Sequence, residues 1–262
     1  MILKKITFAN SKGGVGKTTI TLNMINILSQ LNKKILVFDI DPQANLSRAL
    51  LNEYTSIKNI ELWFKDSTTD DLINSIMESK IKNVLIVPAY KNLVLETNVA
   101  VTSMGMGELI LKNNFSKIEK ILSNKIDYVF FDIFPSFNKI LLNVLLCCDE
   151  IIIPIEPHKF SYEGFKTINE PYNKTIIMLN ELGIKCKNNM NYFIINKFLN
   201  NKTHQAVLET LKKSEIGKKI LDTKLPLSTV RQKETMLMKF NSITDKNPIG
   251  ILTNELIQRG II

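Results

Sequence analysis

The sequence predicts an α/β fold, a predominantly parallel twisted sheet with helices on both faces. Three observations carry this. Short apolar, β-branched runs recur along the 262 residues, and several are apolar on successive positions rather than alternating, as strands covered on both faces should be. Amphipathic stretches, such as 115–122 and 206–211, separate the runs, and such alternation implies a parallel sheet wrapped by helices. A glycine-rich loop stands between the first run and the first helical pattern.

The candidate strands are 2–8, 35–38, 84–87, 128–131, 151–155, 192–195 and 220–225. After the first comes Asn10-Ser11-Lys12-Gly13-Gly14-Val15-Gly16-Lys17-Thr18-Thr19, and then a helical face of Ile20, Met24, Ile27, Leu28 and Leu31. Strand, glycine loop and helix in that order form the context of a phosphate-binding loop. The glycines let backbone N–H groups curl around an anion, and the helix N-terminus adds a favourable dipole. Lys17 would reach the terminal phosphates and the Thr18 hydroxyl would hold Mg²⁺. The ordinary G-x-x-x-x-G-K-[ST] spacing needs glycine at position 11; this chain has Ser11 and adds Lys12.

After the second strand, Asp39 and Asp41 stand two apart in Asp39-Ile40-Asp41-Pro42-Gln43-Ala44-Asn45. Period-two spacing at a strand end projects both carboxylates to one side, at the edge where open α/β sheets place ligands. Farther on, Tyr128-Val129-Phe130-Phe131-Asp132 is an apolar strand ending in an acid, the form in which Asp132 holds Mg²⁺ directly or through water. Between these motifs the pattern is weaker. Ser67-Thr68-Thr69-Asp70-Asp71 reads as a helix start, followed by Leu72, Ile73, Ile76 and Met77. Gly105 and Gly107 interrupt a helical pattern after Val99, where irregular structure is expected.

The string from Lys12 to Thr19 resembles the deviant Walker A box of the ParA/MinD/nitrogenase-iron-protein ATPases. Asp39 to Asn45 resembles the second signature box of ParA-type proteins. Pro135-Ser136 resembles the D-x-P-P-S switch segment, with Phe134 where the first proline is usual. The run 148–157, ending Pro154-Ile155-Glu156-Pro157, and Glu163-Gly164 match further strings. The resemblance covers most of the chain and weakens past Lys197. It implies ATP and Mg²⁺ as cofactors. Lys12, Gly13, Gly14, Val15, Gly16, Lys17, Thr18 and Thr19 would bind the phosphates, with Thr18, Asp39 and Asp132 at the metal. Asp41 would act at the hydrolytic water, with Asp39 the more structural member and an outer-shell magnesium partner. Lys12 would cross a nucleotide-sandwiched homodimer to the partner's phosphates. Asn196 and Pro226 resemble the residues beside adenine; Leu199 stands where a guanine reader would carry an aspartate.

Lys+Arg number 34 against 25 Asp+Glu, a net charge of +9, which suggests a polyanionic partner without choosing between nucleic acid and an acidic membrane. The resemblance implies nonspecific DNA bound through basic residues of the last third, here Lys202, Lys212, Lys213, Lys218, Lys219, Lys224, Arg231 and Lys233. A solvated helix face would look the same. It also implies a ParB-like partner that stimulates hydrolysis, and a cytoplasmic, nucleoid-associated protein. The alternatives are a nucleotide-binding scaffold with little turnover, given Phe134, and a MinD-like membrane ATPase, but the last fourteen residues lack a lysine-rich amphipathic face and read as a core-packing helix. Cys147 and Cys148 are adjacent and apolar-flanked, which disfavours an iron–sulfur role, and no spacing suggests zinc. No apolar run approaches the ~20 residues of a spanning helix. The first strand begins at Ile2, so the expectation is one ATPase domain over 1–262, without a signal peptide or a preceding helix-turn-helix.

Overall fold

The computed structural model describes residues 3–56, 59–158, 162–227 and 247–262. Among them eight strands, all parallel except one, alternate with helices, as the patterning predicts. The chain packs as two compact units: Met1–Thr7 with Leu28–Asp149, and Phe8–Ile27 with Glu150–Ile262.

In the first unit the strands run in the order β3-β4-β2-β5-β1. These are β1 (Lys4–Phe8), β2 (Ile35–Asp39), β3 (Met77–Glu78), β4 (Val84–Val87) and β5 (Tyr128–Asp132). β2 lies between β4 and β5, in register from Ile35 opposite Tyr128 to Asp39 opposite Asp132. All five β2 residues are buried, which is why it reads as continuous hydrophobicity rather than alternation. The helices are α2 (Asn45–Leu50), α3 (Thr69–Asn74), α4 (Leu93–Ser103), α5 (Ile110–Ser123) and α6 (Lys139–Cys147).

Two sequence expectations need correction here. The helix begun at Thr68 is real: Thr68 and Asp71 form a reciprocal capping box. It ends by Ser75, however, and Met77 belongs to β3, the one antiparallel strand, paired to β4. A two-residue strand is too short to show a period in sequence. Leu31, expected on the core face of the first helix, is 41% exposed and lies beyond that helix. Asn32 takes a left-handed φ of 57°, and its N–H and that of Lys33 close back on the carbonyls of Ser29 and Leu28, which turns the chain away. The stretch around Gly105 and Gly107 is a turn and a short 3₁₀ segment, Gly107–Leu109, between α4 and α5.

The core of this unit is aromatic. Trp63 sits edge-on to Phe38 with centroids 4.6 Å apart, and Phe115 and Phe131 complete the cluster. Such pairs contribute about 0.5–1.5 kcal/mol each beyond area burial. The indole N–H donates to Ser75 Oγ at 2.8 Å, and Asn114 donates to the carbonyls of Trp63 and Lys65.

In the second unit the strands run β6 (Glu150–Ile155), β7 (Met190–Phe198), β8 (Ile220–Pro226) in parallel. Ala9 N–H donates to the Ile152 carbonyl. The helices are α1 (Lys17–Gln30), whose last turn belongs to the first unit, α7 (Glu163–Glu181), α8 (Lys202–Lys213) and α9 (Pro248–Gln258). α9 packs on β8, burying Ile249, Leu252 and Leu256. Its Glu255 accepts the N–H groups of Asp222 and Thr223. This is the core-packing terminal helix that the sequence suggests. Among the described residues, no helix is long and apolar enough to cross a membrane.

Candidate functional site

The glycine loop lies in the second unit, where β1 gives way to α1. Gly14 and Gly16 have φ of 73° and 95°, a region that L side chains rarely adopt. A Cβ on Gly16 would fall 2.4 Å from Asn196 Nδ2. Lys17 opens α1 and is 7% exposed. Its ammonium donates to the carbonyls of Asn10 at 3.1 Å and Lys12 at 3.3 Å, so the loop holds this buried cation with its own backbone. No acidic residue stands in the first turn of α1. A helix N-terminus with a loop of left-handed glycines and a buried ammonium fits an anionic phosphate chain. Gly13 and Gly14 are exposed, Val15 is buried, and Thr18 and Thr19 are half-buried.

Asn10 braces the loop. It is 1% exposed; its Nδ2 donates to the Pro154 carbonyl and its Oδ1 accepts the Lys12 N–H, both at 2.9 Å. Ser11 Oγ donates to the Gly164 carbonyl. On the other side, Asn196 Nδ2 donates to the Val15 carbonyl at 2.7 Å. Lys12 is held by Glu156 Oε2 at 3.2 Å, with His158 Nε2 in contact with both. Glu156 Oε1 receives the Lys197 ammonium at 2.7 Å. Burial pushes the Glu156 carboxyl up, but the hydrogen bonds and charges of Lys197 and Lys12 outweigh that and hold it below the usual glutamate range.

The carboxylates lie in the first unit, at the ends of β2 and β5. Asp39 is fully buried; its Oδ2 accepts the N–H and the hydroxyl of Ser47, each at 2.7 Å, and its Oδ1 accepts the Asp41 N–H. Asp39 thereby ties the end of β2 to the first turn of α2, and Ser47 Oγ accepts in turn from Ala89 N–H. Burial raises the Asp39 carboxyl to about 7, with the Ser47 hydrogen bonds pulling it down and the nearby Asp41 charge pushing it up. Asp41 is half-buried, and its Oδ1 accepts the Gln43 N–H. Asp132 is 1% exposed and opposite Asp39 in register. Carboxylate and hydroxyl oxygens, as in Asp132 and Thr18, are the hard donors that Mg²⁺ takes. After β5, Phe134 is 7% exposed, whereas Pro135 and Ser136 are exposed. The departure from the proline pattern thus fills a core position.

Among the candidate DNA-contacting lysines, Lys202, Lys212, Lys213, Lys218, Lys219 and Lys224 are all exposed. Lys212, Lys218 and Lys224 line one pocket of about 420 Å³ with Asp222; the others lie outside its lining. Arg231 and Lys233 fall outside the described residues. Pro226 is exposed at the end of β8, opposite Phe198.

The profile of a family described as an AAA domain matches residues 3–184. An uncharacterized protein of Methanocaldococcus jannaschii is 31% identical over 266 residues, covering 97% of this chain and 96% of that one. The chromosome-partitioning ATPase Soj of Treponema pallidum is 31% identical over 168 residues, 62% of this chain and 60% of Soj. The chain belongs to the ParA/Soj-type ATPase family. Among solved structures, the complex of a Cyanothece McdA variant with ATP superposes with a TM-score of 0.76 at 21% identity, over 97% of this chain and 96% of that one. At that identity the likeness shows the fold. ParA/Soj-type resemblance named the loop, Asp39, Asp41 and Asp132. It gave no role to Asn10, Ser47 or His158, named Glu156 only within a matching string, and read Lys197 only beside Asn196, not as a partner of Glu156.

Proposed function

We propose that the chain is a partition ATPase in which ATP drives homodimerisation and binding to DNA of any sequence, and a ParB-like partner stimulates hydrolysis and release. The observation that carries this reading is the Lys17 ammonium, buried and held by the carbonyls of Asn10 and Lys12 at the start of α1. An ammonium held by the loop itself is positioned before a phosphate arrives, so little reorganisation opposes binding.

The N–H groups of the 13–19 segment and Lys17 hold the phosphates. Thr18 and Asp132 are the residues that would hold Mg²⁺, with Asp39 as an outer-shell partner. Bound Mg²⁺ neutralises charge on the β- and γ-phosphate oxygens. Asp41 orients the attacking water. Lys12 presents its ammonium to the phosphates of the second copy, acting as a cation in trans on the developing charge. Asn196, one of whose amide N–H groups is donated to the Val15 carbonyl, and Pro226 are the residues for adenine. The exposed lysines of α8, of the turn Gly217–Lys219 and of β8, with Arg231 and Lys233, neutralise DNA phosphates, and such binding weakens steeply with salt. The site of action is the nucleoid in the cytoplasm, and one ATPase domain spans 1–262.

Sedimentation of Asp41→Ala with ATP tests the dimer: a stable dimer is expected, and a monomer at saturating ATP contradicts the trans role of Lys12. Phe134, buried where the switch usually has proline, favours one second reading, a nucleotide-binding scaffold with little turnover. Steady ATP hydrolysis by the wild-type chain excludes it.

A further inference from the structure

Two of the three lysines around the glycine loop share one carboxylate. Glu156, at the end of β6, has a side chain 13% exposed and receives Lys12 on Oε2 and Lys197 on Oε1. Lys197 stands near the end of β7 in a left-handed conformation, φ 55°. A Cβ on Gly14 would lie 3.9 Å from its ammonium, so this second cation rests over the phosphate loop itself. The third, Lys17, is held by backbone carbonyls instead. The Glu156 side chain is therefore placed where it neutralises the cations that a phosphate chain would otherwise meet.

We propose that Glu156 is an internal counter-anion that competes with nucleotide phosphates for Lys12 and Lys197, and so sets how much negative charge a nucleotide must bring to bind. The inference rests on the reading that this loop takes ATP. Carboxylate and phosphate oxygens are equivalent charge-assisted acceptors for an ammonium, and a lysine is a compact charge on a flexible stem that changes partner easily. A phosphate that recruits either lysine displaces Glu156. Both lysine side chains are about a third exposed, at 38% and 29%, so each ion pair is weak enough to yield and strong enough to matter. Together they hold back ATP by about tenfold. The carboxylate stays ionised in this role because Lys197 and Lys12 more than offset its burial.

Calorimetric titration of ATP into wild type and Glu156→Gln tests this directly. Glutamine keeps the length and the acceptor oxygen but not the charge. The Kd for ATP is expected to fall about tenfold, and the gain to shrink at high salt, where the competition is screened. A packing role for Glu156 would not give a salt-dependent gain. Lys197→Met reaches the same contact from the other side and is expected to weaken ATP binding, since it removes one cation and leaves Glu156 to Lys12 and His158. Unchanged or weaker ATP binding by Glu156→Gln, or unchanged binding by Lys197→Met, overturns the inference. If Lys17→Ala abolishes binding in the same series, the ATP reading survives that failure. If the wild-type chain binds no ATP, both fall.

Discussion

Adding one methyl group at Gly164 should loosen the phosphate loop from a distance. Gly164 is the second residue of α7, a position where alanine would ordinarily help a helix. Here its Cβ would lie 2.2 Å from Asn10 Oδ1 and 3.3 Å from Lys12 Cβ. Asn10 has no room to yield: it is 1% exposed, and its amide is committed to the Pro154 carbonyl and the Lys12 N–H. Moving Oδ1 by the ångström or so that the methyl demands breaks both hydrogen bonds, each worth about 1 kcal/mol net, and leaves a buried amide poorly paired at a further cost of about 1–3 kcal/mol. The helix preference returns at most about 1 kcal/mol. The net expectation for Gly164→Ala is a loss of about 2–4 kcal/mol, read as a lower urea midpoint, together with weaker ATP binding because Lys12 N–H loses its anchor. Gly105→Ala is the control, since its added Cβ meets nothing within 4 Å; it should stay within about 0.5 kcal/mol of wild type. If Gly164→Ala matches that control in both stability and ATP affinity, the bracing role of Asn10 is wrong.

Other consequences follow from the same geometry. Lys17→Ala removes a buried ammonium that makes charge-assisted hydrogen bonds worth about 1.5–3 kcal/mol each, so ATP affinity in calorimetry should fall at least tenfold. Asp41→Ala should keep ATP affinity while turnover in a phosphate-release assay falls by about 10²–10⁴; loss of affinity with turnover per bound ATP intact would contradict its role. Asp39 titrates near 7 in the folded chain against 3.8 as its ordinary value, so its contribution to stability is fully present below about pH 4 and is lost as pH rises to about 7. Asp39→Asn should lack that slope in urea titrations at a series of pH values, and an unchanged slope would show that burial does not raise this carboxyl.

Legibility in the sequence followed physical locality. β2, β4 and β5 were readable because strands buried on both faces are continuously apolar, and the glycine loop because its chemistry is packed into ten consecutive residues. β3 was not readable, since two residues carry no period. The aromatic cluster was missed because Trp63 stands in a five-residue 3₁₀ turn, Ile60–Phe64, where no helical or strand repeat marks a core position. Asp39 was recognised from its string, but the sequence could not show that Ser47 occupies one of its oxygens. Glu156 stands in sequence only as one residue of the 148–157 string. Its meaning depends on Lys12 and Lys197, and those contacts exist only once β6 and β7 lie side by side and Lys197 comes over Gly14.

The most direct test of the central claim is DNA binding by the purified chain with ATP, ADP or no nucleotide, at low and moderate salt, with Asp41→Ala to hold the ATP form and anionic liposomes in parallel. An ATP-driven switch on a nucleoid track predicts binding to DNA of any sequence that requires ATP and falls steeply with salt. Binding to the liposomes with none to DNA would contradict it and assign the chain to a MinD-like role at a membrane.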